Sequence, residues 1–401
     1  MSLNNYPLLT FHDAVNHTLD EVLGGQWSPR NLRQAIRAVQ EAYAEVPMRR
    51  MWRYYYRPIT FQTVASQTTG SIAYDYTGGS SERMVTLTGT TWPTDVTKYS
   101  LYVSGVRYSI ASYVSSTVIT LDEKDCPTAD LDAGTGYTLT RDTYELPDNV
   151  REVLSLYDTA APGHPFPCVD PGDIVHHQRI MRNTALPRMY GVYRSERYAS
   201  GLAIHFAPSP SSSRKYQCLA LCWPQPIKTF EYITGSVATT ANSATVTGTG
   251  TTFSTEHVGA VIRFSSNGSL KLPTDIQGEI DQNRMEPYAM QRVVSAYTSS
   301  TSIEMEQTAD LTLSGSGYRI SSRIDIEPGA MRQAFLRCCE ARFATQDRKG
   351  AQEREARYEK ALMLAMTADQ RLAETQPASW MPNSLAGVAS SVDLTTGGVQ
   401  P

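Results

Sequence analysis

The chain has 401 residues, 36 Lys and Arg against 40 Asp and Glu for a formal net charge of −4, and 41% apolar residues. That is too long for one ordinary core and apolar enough to fold, so two to four domains are expected, and the balanced charge argues against a general nucleic-acid coat. Six cysteines without C-x-x-C spacing fit reduced, buried thiols, no apolar run approaches the ~20 residues needed to cross a bilayer, and no basic-then-apolar leader is readable, so a soluble chain made in a cytoplasm is expected.

In chain order, residues 10–46 read as two helices. Thr10 is placed to cap the first, with Asp13 in its opening turn, Gly24 just past its end, and Phe11, Ala14, Val15, Leu19, Val22 and Leu23 at helical spacing. Ser28 caps the second, with Pro29 at its first position and Leu32, Ala35, Ile36, Val39, Ala42 and Tyr43 as the stripe. The short turn between them predicts antiparallel packing.

The stretch Pro47–Phe61, PMRRMWRYYYRPITF, stands where helix gives way to strand. Arg49, Arg50, Trp52, Arg53, Tyr54, Tyr55, Tyr56 and Arg57 are candidate subunit-interface residues, because Trp, Tyr and Arg dominate protein–protein hot spots. The same composition also suits packing at a domain junction, or contact with nucleic-acid backbone and bases.

From 57 to 141 the text alternates with period two, as in RMVTLTG and STVITLDE, and 229–322 repeats it. Tyr-x-Ser-Ser-Thr occurs at Tyr113–Thr117 and Tyr297–Thr301, and Gly-x-Gly-Tyr at Gly134–Tyr137 and Gly315–Tyr318, in the same order and each followed by a strand pattern. Repeated order marks repeated units, so two copies of one β module, of about five strands each, are expected, the second with an extra polar stretch at Ser265–Pro287. Between them, 142–228 reads as a short helix at DPGDIVHHQRIM followed by an antiparallel meander.

Cys168, His176, His177, Cys218 and Cys222 invite a metal reading, but the paired spacing of a structural zinc site is missing, and Cys218 and Cys222 share one face of an apparent strand as buried thiols would. No nucleophile elbow, H-E-x-x-H, phosphate loop or dinucleotide fingerprint is present. The sequence therefore predicts no enzyme, no cofactor and no metal.

Helices return at 323–375, with Met331, Ala334, Phe335, Cys338, Cys339 and Arg342, then Tyr358, Ala361, Leu362 and Ala365, at helical spacing. Residues 376–401 are rich in Pro, Gly and Ser; Trp380, Met381, Leu385 and Val388 are too few to form a core and suit a partner's surface. The expected fold class is α+β. The helical pairs at the two ends (1–56 and 323–375) form one bundle, with two small antiparallel β-barrel or sandwich modules (57–141 and 229–322), a central α+β meander (142–228) and an extended tail (376–401).

The order of features resembles the head-to-tail adaptor (neck, or connector) proteins of tailed bacteriophages. The residues that carry this are the helix pair FHDAVNHTLDEVLGGQWSPRNLRQAIRAVQEAY running into Trp52 and the aromatic-Arg strand, YELPDNVREVLSLYD, the P-S-P…W-P-Q-P meander and the closing RYEKALMLAMTADQR. V-T-G-T-G-T-x-F…V-G-x-x-I-R-F (Val246–Phe264) looks like a small β module of phage virion proteins. The resemblance implies a homo-oligomeric ring, usually twelve-fold, in the neck of the virion, with the helices around the DNA channel. Its tail would grip the portal protein through Trp380, Met381, Leu385 and Val388, and its β modules would face downstream tail or fibre proteins. A tail nozzle, fibre or receptor-binding component using the β modules is the alternative, and an enzyme acting on envelope polysaccharide a more distant one. A DNA channel with balanced charge lets the duplex slide, since each phosphate contact adds affinity. DNA affinity of the assembled protein, measured by anisotropy across a salt series, is therefore expected to be weak and salt-sensitive, and tight binding at physiological salt would refute that.

Overall fold

In the computed structural model, residues 8–24, 28–76, 79, 82–160, 165–180, 184–198, 201–274, 285–344 and 350–375 are described. Their α-helices are α1 (Phe11–Leu23), α2 (Pro29–Glu45), α3 (Pro171–Ile180), α4 (Ala330–Ala344) and α5 (Ala351–Thr375). The chain divides into two units: one from Met1–Tyr54 and Pro224–Gln376, the other spanning Tyr55–Trp223.

The second unit begins with β1 (Tyr56–Gln62) and continues into the first β module: β2 (Ser71–Asp75), β3 (Met84–Thr88), β4 (Ser100–Val103), β5 (Val106–Tyr113), β6 (Val118–Leu121), β7 (Leu131–Thr135) and β8 (Thr138–Thr140). These seven form one curled antiparallel sheet in the order β7-β2-β3-β6-β5-β4-β8. Alternation places Val85 and Leu87 of β3 and Ile119 and Leu121 of β6 inward, against Trp92, Leu101, Ile110 and Leu139. The remainder holds β9 (Thr143–Glu145), β10 (Val150–Asp158), β11 (Met189–Arg194), β12 (Leu202–Ala207) and β13 (Lys215–Cys222). They make two three-stranded sheets, β1-β13-β10 and β11-β12-β9, around a core that includes Tyr144, Leu156, Tyr190, Phe206 and Tyr216.

The first unit carries the second module: β14 (Ser236–Thr239), β15 (Thr245–Thr249), β16 (Ala260–Phe264), a parallel pair β17 (Leu272–Thr274) and β18 (Met285–Pro287), then β19 (Met290–Ser299), β20 (Ser302–Met305), β21 (Leu313–Ser316) and β22 (Tyr318–Ser322). Its seven-stranded order, β21-β14-β15-β20-β19-β16-β22, matches that of the first module strand for strand. Small details match too. Trp92 N donates to Ser116 O at 2.7 Å, and Phe253 N to Ser300 O at 2.8 Å. Tyr137 Oη donates to Thr69 O, and Tyr318 Oη to Thr234 O. Gly70 and Gly235 both have positive φ, and a Cβ on either would run into the carbonyl oxygen of Thr88 or of Thr249.

The expected fold class is corrected here. Strands occupy 37% of the described residues and the two sheets dominate, so the molecule is not a helical bundle carrying small β inserts. Each module has seven strands where about five were expected, because segments as short as Thr138–Thr140 carry too little alternation to register as strands. The central segment is not one meander either. Strand β13 leaves β11 and β12 and pairs with β1 and β10 instead, and such long-range partners have no local signature.

Helices α1, α2, α4 and α5 lie together within the first unit. Thr10 and Asp13 close a capping box at the start of α1, and Ser28 caps α2 with Pro29 behind it. Helix α4 is covered on most sides, with Met331, Phe335, Cys338, Cys339 and Phe343 all buried.

One ion pair ties α1 to the β module of its unit. Arg263 on β16 is bidentate to Asp13, with Nη1–Oδ1 and Nη2–Oδ2 both at 2.7 Å, and the side chains are only 2% and 7% exposed. Arg263 Nη2 also donates to Leu8 O, and His12 N to Ser321 Oγ. Burial opposes the charge on Asp13, but the hydrogen bonds and charge of Arg263 outweigh it and hold the carboxyl below its ordinary range. A depressed carboxyl pKa stabilises the fold above the ordinary carboxylate range, and that contribution is lost as pH falls through the depressed value. Removing one partner strands the other charge in the interior, so Asp13→Ala or Arg263→Ala is expected to cost about 3–5 kcal/mol in urea unfolding. Unchanged midpoints for both would contradict this account.

Candidate functional site

The Arg-aromatic stretch is largely used inside the chain. Trp52 is buried and its indole N–H donates to Val46 O at 2.9 Å. Arg50 pairs with the buried Asp369 of α5 at 3.0 Å and donates to Met366 O, while Arg53 N donates to Asp369 Oδ1. Tyr54 Oη donates to Asp325 at 2.9 Å, and Arg49 forms an exposed i,i+4 pair with Glu45. These contacts tie the end of α2 to α5 and to the strand exit at Asp325, all within the first unit. In the second unit, Tyr55 is buried, and Tyr56 and Arg57 enter β1 opposite Leu221 and Ala220 of β13. The neighbouring Met48 and Met51 are exposed. Trp380, Met381, Leu385 and Val388 lie outside the described residues.

The helices of the first unit are clamped around Glu45. Its carboxylate accepts from Arg342 Nε of α4 at 2.7 Å, from Arg342 Nη2 at 3.0 Å and from Tyr358 Oη of α5 at 3.1 Å. Arg342 also reaches Glu355. Burial works against the Glu45 charge, but the hydrogen bonds of Arg342 and Arg49, the Arg342 charge and Tyr358 bring its pKa down to about 2. Cys338 and Cys339 sit beneath this clamp, where burial raises both thiols, Cys338 to about 12, so neither is reactive.

The outward side of α5 is less well covered. Met363 and Leu364 are 64% and 60% exposed, although the opposite side buries Tyr358, Leu362 and Ala365. Beside them runs a groove of about 520 Å³ lined by Leu336, Ala361 and Leu364 together with His17, Gln333, Arg337, Arg357 and Lys360. Arg337 is paired with Glu340 and Arg357 with Glu353, and His17 Nε2 lies 3.2 Å from Glu340. The sequence placed Ala361 on the buried stripe but gave no sign that Met363 and Leu364 would be left uncovered.

A second cavity, of about 460 Å³, opens in the other unit beside Tyr102, Arg107, Gln178 and Arg197, with Val106 and Val175 exposed at its mouth. Behind it lies Asp142, fully buried and held by Arg107 Nη2 at 2.9 Å and by Thr143 Oγ1 at 3.0 Å. Next to it, His205 stacks on Tyr193 with ring centroids 3.5 Å apart. Burial lowers the His205 pKa to about 4, so the ring is neutral at physiological pH. Nothing in the sequence reading singled out this cluster, because Arg107 and Asp142 are 35 residues apart and meet only through the fold. Cys218 and Cys222 are buried on β13, Cys168 is exposed, and among the described residues no group of three or more His, Cys, Asp or Glu could hold a metal ion.

The Glu45 clamp has a measurable consequence. Its depressed pKa stabilises the helices fully above the ordinary value of 4.5, and that contribution is lost as pH falls toward about 2. Glu45→Gln is expected to lose about 1–2 kcal/mol at neutral pH and to flatten the acid limb of the stability–pH curve. An unchanged acid limb would contradict the clamp. No family model matches this chain, and no curated protein matches it significantly.

Proposed function

We propose that the chain is a structural virion protein, a head-to-tail adaptor of a tailed bacteriophage. It assembles with copies of itself into a ring between the portal and the tail and continues the DNA channel. The observation that carries the reading is the outward side of α5, where Met363 and Leu364 stand exposed beside a groove that Leu336 and Ala361 help to line. An uncovered apolar helix face of this kind marks an association surface, and copies of one chain using one surface against a different one form a ring where the rotation between them closes. The order of sequence features, from the capped helix pair through the aromatic-Arg stretch to the closing helices, supports the adaptor reading. Two copies of one seven-stranded module suit contacts with downstream tail or fibre proteins. The role is mechanical: subunit burial holds the ring, the portal and tail dock above and below, and double-stranded DNA passes with weak contact.

The cavity beside Arg107 and Arg197 favours a second reading, a tail nozzle or receptor-binding component whose β module takes a ligand. Native mass measurement and negative-stain imaging of the purified chain separate the two. The adaptor reading expects a closed ring, twelve-fold in the first instance, while Leu364→Asp leaves a folded monomer. A wild-type chain that stays monomeric, or assembles as a trimer, overturns it.

A further inference from the structure

The α4–α5 groove also points to what fills it. Leu336, Ala361 and Leu364 are its apolar lining; of the cations beside them, Arg337 and Arg357 pair with Glu340 and Glu353, and Lys360 adds a further positive group. A fitting occupant is therefore largely apolar and free of positive charge. Residues 376–401 have that composition: Asp393 is their one charged side chain, and Trp380, Met381, Leu385, Val388, Val392, Leu394 and Val399 are their large apolar ones. This segment follows directly on α5, which supplies one wall of the groove.

Reach decides whose groove Trp380 can fill. The eleven residues from Leu364 to Thr375 rise about 16 Å along the helix. Trp380 stands five residues beyond Thr375, which spans about 17 Å when fully extended. Doubling back onto its own Leu364 would consume that whole length and leave none for the reversal of direction. The groove of a neighbouring copy carries no such restriction.

We infer that Trp380 and Met381 of one copy seat in the α4–α5 groove of the next, so that the tail straps neighbouring subunits together. This rests on the ring reading and names its interface. The remainder of the tail, beyond Val388, stays available for the portal. Apolar burial of a Trp and a Met in a desolvated groove is a hot-spot arrangement, strong enough to shift assembly by an order of magnitude or more.

The test uses the full chain. A photo-reactive benzoylphenylalanine replaces Trp380, chains labelled with light and heavy nitrogen are mixed and assembled, and cross-links are mapped by mass spectrometry. Cross-links from position 380 to residues 333–337 and 357–364 that join light to heavy chains are expected. Trp380→Asp with Met381→Asp, and separately Leu364→Asp, are expected to raise the half-assembly concentration at least about tenfold while the melting temperature stays unchanged. Cross-links confined to single chains, cross-links elsewhere, or assembly indifferent to both variants would overturn the strap. A ring that tolerates Trp380→Asp with Met381→Asp but is lost with Leu364→Asp removes only this inference; a wild-type chain that never assembles removes the ring reading as well.

Discussion

The first unit depends on a guanidinium placed where water cannot reach it. Arg263 is among the largest fully buried side chains, and a charge so placed is tolerable only with a carboxylate in bidentate contact. Asp13 supplies it, and Asp13 also closes the capping box of α1. One carboxylate thus starts a helix and fixes that helix to a sheet. The same helix packs against α2 and α4, which the Glu45 clamp joins to α5, so the exposed side of α5 is held in place through a chain of contacts that begins at β16.

The duplicated sheet shows how one surface is reused. Arg263 stands between Arg319 of β22 and Gln291 of β19, and the matching row of the other module is Thr138, Tyr102 and Arg107. In one copy the row takes Asp13 from a helix; in the other, Arg107 takes Asp142 from the chain just after β8. Both modules therefore use the same three strands to receive neighbouring structure through an Arg–Asp pair with a buried carboxylate, with different residues providing the arginine. What is left over differs: the second unit keeps a cavity beside its pair, lined by Tyr102 and Arg197.

Much of the local structure was legible. Caps at Thr10 and Ser28 mark helix starts because a side-chain oxygen three residues before an amide has a fixed geometry, and that is a local property. The repeated turns at Tyr113–Thr117 and Tyr297–Thr301 were readable for the same reason, since Ser115 and Ser299 take identical roles within two residues. Partners far along the chain were not. Arg50 and Tyr54 belong to a conspicuous stretch, yet the groups that satisfy them, Asp369 and Asp325, follow hundreds of residues later in unremarkable surroundings. Asp13 was legible as a first-turn residue of α1, but its buried partner Arg263 lies 250 residues on, and only the fold buries Asp142. Strand count failed where strands were three to five residues long, and the weight of β structure relative to helix was misjudged with it.

The described residues of the second unit fall in one run of chain, Tyr55–Trp223, between the two portions of the first in sequence. During synthesis it can finish folding as soon as it leaves the ribosome, while α1 and α2 wait. Arg342 follows its partner Glu45 by 297 positions. At ~5–20 residues per second, that separation is a delay on the order of 15–60 s. Through that interval Ala35, Val39 and Ala42 have no α4 to cover them, which makes the nascent N-terminal hairpin the segment most in need of a chaperone.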